Sequence, residues 1–270
     1  MKQANAIELN DLRCGYDGRI IIDIPRLAIP AGAFVAIIGP NGSGKTTLAR
    51  AASGIISPYS GAVLINGADA SRLSYRARAR ALAVVNQVVD AGEFPLEDYV
   101  LMGRLPHRSP LRLFETAGEI RVARENTRLT GLRADWKTPM NQLSGGERQL
   151  AAIARALTQQ AGILLLDEPT AHLDIAHQVK ILDLARRLNR DKGITVALII
   201  HDLNLASEYS DRIILLDNGA VRVAGKPDEV LTRAHVESVY RTRVTILPGP
   251  FPGRPLVFPV PGEEPRERAL

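Results

Sequence analysis

Cys14 is the only cysteine in 270 residues, so no disulfide can form within one chain, and the count suits a reducing compartment. Aromatics make up 4%, too few to supply the stacking platforms of a single-strand nucleic-acid binder. No apolar run reaches the roughly 20 residues that a membrane-spanning helix needs; the strongest, residues 194–200, falls far short. The opening Met1-Lys2-Gln3-Ala4-Asn5 carries no secretory-type apolar stretch. No segment repeats itself, and no Cys/His spacing suggests zinc. His107, His177 and His235 sit in no ligand pattern. Together these absences predict a soluble, cytoplasmic protein with one binding unit per chain.

What is present is an ordinary globular composition, 46% hydrophobic and 23% charged, which argues against disorder. The net charge is +5, from 34 basic and 29 acidic residues. Two Arg clusters stand out, Arg72, Arg76, Arg78 and Arg80, and then Arg104, Arg108 and Arg112. Neither is interleaved with aromatics, so each reads as a solvated or partner-facing surface rather than a nucleic-acid platform.

Residues 7–38 are strand-rich, with Asp17-Gly18 as a hairpin turn. Ala62-Val63-Leu64-Ile65 and Leu82-Ala83-Val84-Val85 read as further strands. Residues 88–140 change to Arg-bearing helices broken by Pro95, Pro106, Pro110 and Pro139, as in a helical insertion. Strand–helix alternation then resumes, with buried-type strands over 163–167, 194–200 and 212–217. Seven of the 17 prolines fall between Pro248 and Pro265. That composition predicts an extended appendage, disordered after Pro259.

The most informative stretch is Gly39, Pro40, Asn41, Gly42, Ser43, Gly44, Lys45, Thr46 and Thr47. It fits G-x-x-x-x-G-K-[ST] in full, after a strand-like run and before a helix-compatible one. Glycines let successive backbone N–H groups close on phosphate oxygens, and the helix that follows adds its positive end. Lys45 reaches the β- and γ-phosphates in this pattern, and the Thr46 hydroxyl takes a place on Mg²⁺. The stretch predicts a site for ATP or GTP.

Two other segments carry chemistry. Ile163-Leu164-Leu165-Leu166 runs into Asp167-Glu168-Pro169. Successive strand side chains diverge, so Asp167 can serve the Mg²⁺ shell while Glu168 orients or deprotonates the attacking water. Leu143-Ser144-Gly145-Gly146-Glu147 opens a helix whose Leu150, Ile153, Ala154 and Leu157 share a face. Ser144 and Glu147 fit a capping box, a purely structural role. The same hydroxyl and bare glycine amides also fit a second phosphate receptor. Two receptors and one nucleotide site per chain invite a sandwich of two copies.

With these motifs in this order, residues 7–240 resemble an ATP-binding cassette (ABC) ATPase subunit. The resemblance implies an α/β fold, a P-loop NTPase nucleotide-binding domain of ABC type. It implies an N-terminal antiparallel β subdomain and an inserted helical subdomain over 88–140, all within residues 1–240, with a Pro-rich C-terminal extension over 241–270. It gives Tyr16 to adenine stacking, and Gln87 to Mg²⁺, the attacking water and the sensing of a transport partner. Asn86 stands where relatives often have Pro. Ala171-His172-Leu173-Asp174 resembles the loop that crosses the dimer interface, and Ser144, Gly145, Gly146, Glu147 and Asp174 fall among the nucleotide-binding positions. His201, followed by Asp202, resembles the switch histidine on the γ-phosphate.

Residues 98–107, 172–178 and 201–206 are similar to segments in ATPases of iron-siderophore, haem and vitamin B12 importers. The resemblance implies a homodimer using ATP and Mg²⁺ at the cytoplasmic face of a membrane. Its partners would be a separate permease dimer and, through that, a periplasmic or surface binding protein, with no direct nucleic acid. The alternatives are the motor of an efflux system or a soluble cassette acting on DNA or the ribosome. The soluble relatives usually carry two cassettes or a long coiled-coil insertion, and this chain has neither.

Overall fold

The computed structural model describes residues 4–89, 92–109, 112 and 114–261. Pro110 and Pro265, both counted in the sequence reading, lie outside them. Strand β1 (Asn5–Tyr16) and β2 (Arg19–Pro30) pair antiparallel with Tyr16 opposite Arg19. The two-residue turn between them holds Asp17 at φ 51° and Gly18 at φ 77°. Those positive values match the right-handed strand twist, which is why an Asp-Gly pair sits there. Strand β3 (Phe34–Ile38) and helix α1 (Lys45–Ala52) follow, then β4 (Ser60–Ile65) and the short β5 (Ala68–Asp69). The first sheet runs β2-β1-β4-β5, all antiparallel.

Helix α2 (Tyr75–Ala81) leads to β6 (Leu82–Val85). The insertion carries α3 (Leu96–Leu101), a 3-10 turn over Met102–His107, and α4 (Ala117–Thr130). Then come α5 (Gly145–Thr158), β7 (Ile163–Asp167), α6 (Ile175–Lys192), β8 (Thr195–Ile199), α7 (Leu203–Tyr209) and β9 (Arg212–Asp217). The second sheet runs β10-β9-β3-β8-β7-β6, where β10 (Ala220–Gly225) is an antiparallel edge on five parallel strands. Strands β3, β8 and β7 are buried at every position and almost wholly apolar because both faces are covered. Phe34, Ala36, Ile38, Leu164 and Leu166 enter one core. Val35, Ile37, Ile163 and Leu165 enter the other, shared with the antiparallel sheet. The parallel register aligns the carboxyl ends of β3, β8, β7 and β6 on one edge, the place where open α/β sheets bind ligands.

Three expectations change in the structure. Helix α5 buries Gln149, Ala151, Ala152 and Ala156 besides the four residues of the expected face, because it lies between the sheet and the inserted helices rather than at a surface. The second Arg cluster is not a free surface. Arg104 donates to Thr158 O (3.0 Å) and Gln160 Oε1 (2.6 Å), and Arg108 pairs with Glu115 (2.9 Å) and Glu119 (3.5 Å). Arg112 also binds Glu119, so a buried carboxylate draws the guanidinium groups inward.

The third change concerns the proline-rich segment. After α8 (Pro227–Val230) and α9 (Arg233–Tyr240), β11 (Val244–Leu247) and β12 (Leu256–Pro259) form an antiparallel hairpin. Val244 and Val257 join the larger core. The expected extended appendage is therefore a docked hairpin over these residues. Prolines 248, 250, 252 and 255 occupy its loop, where missing N–H donors break no ladder.

Candidate nucleotide site

The turn between β3 and α1 is shaped by glycines, two of which leave no room for a Cβ. Gly39 has φ 154°, and a Cβ there would stand 2.4 Å from Leu216 O and 2.6 Å from Ser43 Oγ. Gly44, at φ 97°, caps α1 without any side-chain acceptor, which leaves the first-turn N–H groups to other partners. Lys45 is buried and donates to Gly39 O (2.9 Å) and Pro40 O (3.0 Å). Burial lowers its pKa, while Glu168 and Asp167 pull the other way. Thr46 is exposed beside it and Thr47 is buried. Pro40, Asn41, Gly42 and Ser43 complete the loop, and the buried Ser43 Oγ has no hydrogen-bond partner among the described residues.

Two strands over from β3, β7 delivers Asp167 to the same edge. Its carboxyl is pushed above the ordinary range by burial first and by Glu168 second. Its Oδ1 is buried without a partner. Glu168 follows at φ 49°, a left-handed conformation rare for a side chain of this size. That backbone twist, rather than strand alternation, separates the two carboxylates. Glu168 Oε1 meets His201 Nε2 at 2.6 Å, and Glu168 N donates to Ile199 O at 3.1 Å. His201 comes from the end of the intervening strand β8.

A cleft of about 410 Å³ opens here, lined by Thr46, Arg50, Asn86, Gln87 and Asp167 among others. Gln87 follows β6 and is exposed. An unsatisfied carboxylate oxygen, a threonine hydroxyl and a glutamine amide form an oxygen-rich set suited to Mg²⁺. That ion takes few protein ligands and completes its shell with phosphate and water. Tyr16, at the end of β1, accepts a hydrogen bond from Arg50 Nη1 at 3.1 Å. Sequence reading passed over Arg50; the signal was its place one helical turn after Thr46.

The expected second receptor falls at the start of α5. Ser144 Oγ accepts from Glu147 N (3.3 Å), and Glu147 Oε2 accepts from Ser144 N (2.9 Å) and Ser144 Oγ (2.7 Å). Those donors hold the Glu147 carboxyl below the ordinary range. Among the described residues no hydrogen bond joins Ser144, Gly145 or Gly146 to the loop over 39–47 of the same chain. Asp174 caps α6, accepting from His177 N at 2.9 Å and meeting His177 Nδ1 at 2.8 Å. The His177 ring lies against Gly146, where an added Cβ would come within 2.4 Å of Cδ2. His177, set aside in the sequence because it fits no metal pattern, thus ties the Asp174 loop to the Ser144 turn.

Comparison with known proteins agrees with this arrangement. Residues 22–171 match the family model described as ABC transporter. The achromobactin transport ATP-binding protein of Dickeya dadantii is 40% identical over 265 residues, covering 98% of both chains. The ferric enterobactin transport ATP-binding protein of Escherichia coli K12 is 37% identical over 250 residues, covering 92% of both. A dimeric bacterial ABC transporter cassette superposes with a TM-score of 0.71 at 31% identity, over 81% of this chain and 97% of that one.

Proposed function

The chain belongs to the ATP-binding subunits of ABC transporters, and we propose that it powers uptake of an iron chelate, haem or cobalamin through a separate permease dimer. The cargo class is supported by relatives named for achromobactin and ferric enterobactin transport, at 40% and 37% identity over nearly the whole chain. The chain acts as a peripheral subunit on the cytoplasmic face of the membrane. No helix of the described residues is long and apolar enough to cross it.

The carrying observation for the chemistry is Glu168, held in a left-handed conformation against His201 and next to a buried Asp167 with a free Oδ1. ATP lies with its phosphates in the loop over 39–47, Lys45 leaving its loop carbonyls for the β- and γ-oxygens. Tyr16 stacks on the base. Thr46, Gln87 and Asp167 would hold Mg²⁺, which would neutralise charge on the phosphates. Glu168 takes the proton of the attacking water, and His201 contacts the γ-phosphate. Two copies close head to tail, so that Ser144, Gly145, Gly146 and Glu147 of one reach the nucleotide on the other, with Asp174 at the junction. Closure is favoured only while the γ-phosphate bridges both halves, and hydrolysis releases it.

Replacing Glu168 by Gln tests the chemistry: ATP should bind and hold a closed dimer while turnover stops. Hydrolysis at the wild-type rate would refute the base assignment. Purification of the tagged chain from solubilised membranes should recover a polytopic permease in equal amount. ATPase stimulation of that complex by ferric siderophore, haem or cobalamin then identifies the cargo.

A further inference from the structure

His201 sits at the mouth of the site, and the helix that begins just after it is short. Seven residues of α7 are too few to hold a helix in water by themselves, so its direction depends on what surrounds it. Asp202 caps its start, accepting from Asn204 N (2.8 Å) and Leu205 N (2.9 Å). On one side Tyr209 Oη donates to Asp183 of α6 at 2.8 Å. On another the C-terminal hairpin grips it at both ends.

At the first turn the Asn204 amide behaves as a missing strand. Its Oδ1 accepts from Val257 N at 2.7 Å and its Nδ2 donates to Val257 O at 3.3 Å. One side chain thereby satisfies both groups that the outer edge of β12 presents at that residue. At the last turn Arg254 Nη1 donates to Ser207 O and Ser210 O, the free carbonyls of a helix C-terminus, where a cation is favoured. Val257 itself is anchored in the core at 6% exposure. The grip is thus fixed to the body of the domain, three residues in sequence from His201.

We propose that the C-terminal hairpin sets the aim of His201, with Asn204 and Arg254 as positioning residues acting through α7. This rests on the reading of His201 as the γ-phosphate contact. A helix released at its first turn lets His201 drift from Glu168, and a displacement of about 1 Å near reacting groups costs up to roughly 10²-fold in rate.

The test uses the full-length chain carrying Asn204→Ala, Arg254→Ala or, as a control, Val236→Ala on the buried face of α9. ATPase kinetics are taken well below the Tm of each variant. Asn204→Ala should lower kcat about tenfold with KM for ATP within about twofold, the pattern of a lost transition-state contact. Asn204→Asp, which keeps the acceptor for Val257 N, should recover part of that loss. Arg254→Ala should have the same sign and a smaller size. Val236→Ala should lose Tm and keep kcat. Wild-type kcat in Asn204→Ala with a lowered Tm would overturn the proposal and leave the hairpin as scaffold. His201→Ala at the wild-type rate would instead remove the premise; an inactive His201→Ala beside a fully active Asn204→Ala would sink the hairpin's role alone.

Discussion

At the start of α1 the chain leaves its first-turn donors without a side-chain cap, whereas at the start of α5 Ser144 and Glu147 take up theirs. The first terminus is ringed by groups held at a cost. Lys45 is buried with a lowered pKa, Asp167 with a raised one, and Ser43 Oγ and Asp167 Oδ1 have no partner. The second is content within its own chain, its carboxylate stabilised by the groups it caps. On the proposed reading, the first terminus offers its donors to a phosphate directly, while at the second Glu147 already accepts from the Ser144 amide and hydroxyl. On the same reading, that contrast lets one copy take a nucleotide and leaves closure to two.

Substitutions on the two sides separate them. Glu168→Gln strikes the first site hardest: loss of general-base help lowers kcat by roughly 10²–10⁴, and size-exclusion chromatography in ATP should show a persistent dimer. Gly146→Ala strikes the second. Its Cβ must push against the His177 ring, an overpacking cost of about 1–3 kcal/mol. Adding His177→Ala should return the Tm while ATP-driven dimerisation stays impaired. A double variant no more stable than Gly146→Ala would show that the ring is not what excludes the methyl.

Ser144→Ala removes a cap worth about 1 kcal/mol, so calorimetry should find a lower Tm while nucleotide affinity of the single chain holds. Asp167→Asn has the opposite sign. A carboxyl whose folded pKa is raised contributes stability in acid that is lost as pH rises through that pKa. The amide should therefore raise the Tm of the nucleotide-free chain at neutral pH. That advantage should shrink once acid protonates the wild-type carboxylate. Equal Tm values across the range would show that Asp167 is not held at a cost.

Much of the fold was legible because its signals are local. Asp17-Gly18 fixes a hairpin, and unbroken apolar runs such as Phe34–Ile38 fix buried parallel strands. The phosphate loop was legible for the same reason. What sequence hid depends on distant partners. Arg108 reads as a surface cation until Glu119 arrives from α4. Val257 reads as part of a proline-rich tail until Asn204 offers its amide. His177 looked idle because its value lies in the shape of its ring against Gly146, and shape leaves no pattern in a one-dimensional string. The left-handed turn at Glu168 is likewise written in the sheet around it rather than in the residue.

Cys14 lies fully buried in β1, its thiol pushed up to about 11 by desolvation. Only the thiolate reacts at an appreciable rate, so at neutral pH the native chain is chemically silent towards maleimides and disulfide reagents. Any cysteine introduced at an exposed position becomes the sole handle. One placed in the Ser144 turn and another near Gly42 would record the meeting of two copies as a cross-link or a spin–spin distance, without first stripping the protein of its own sulfur.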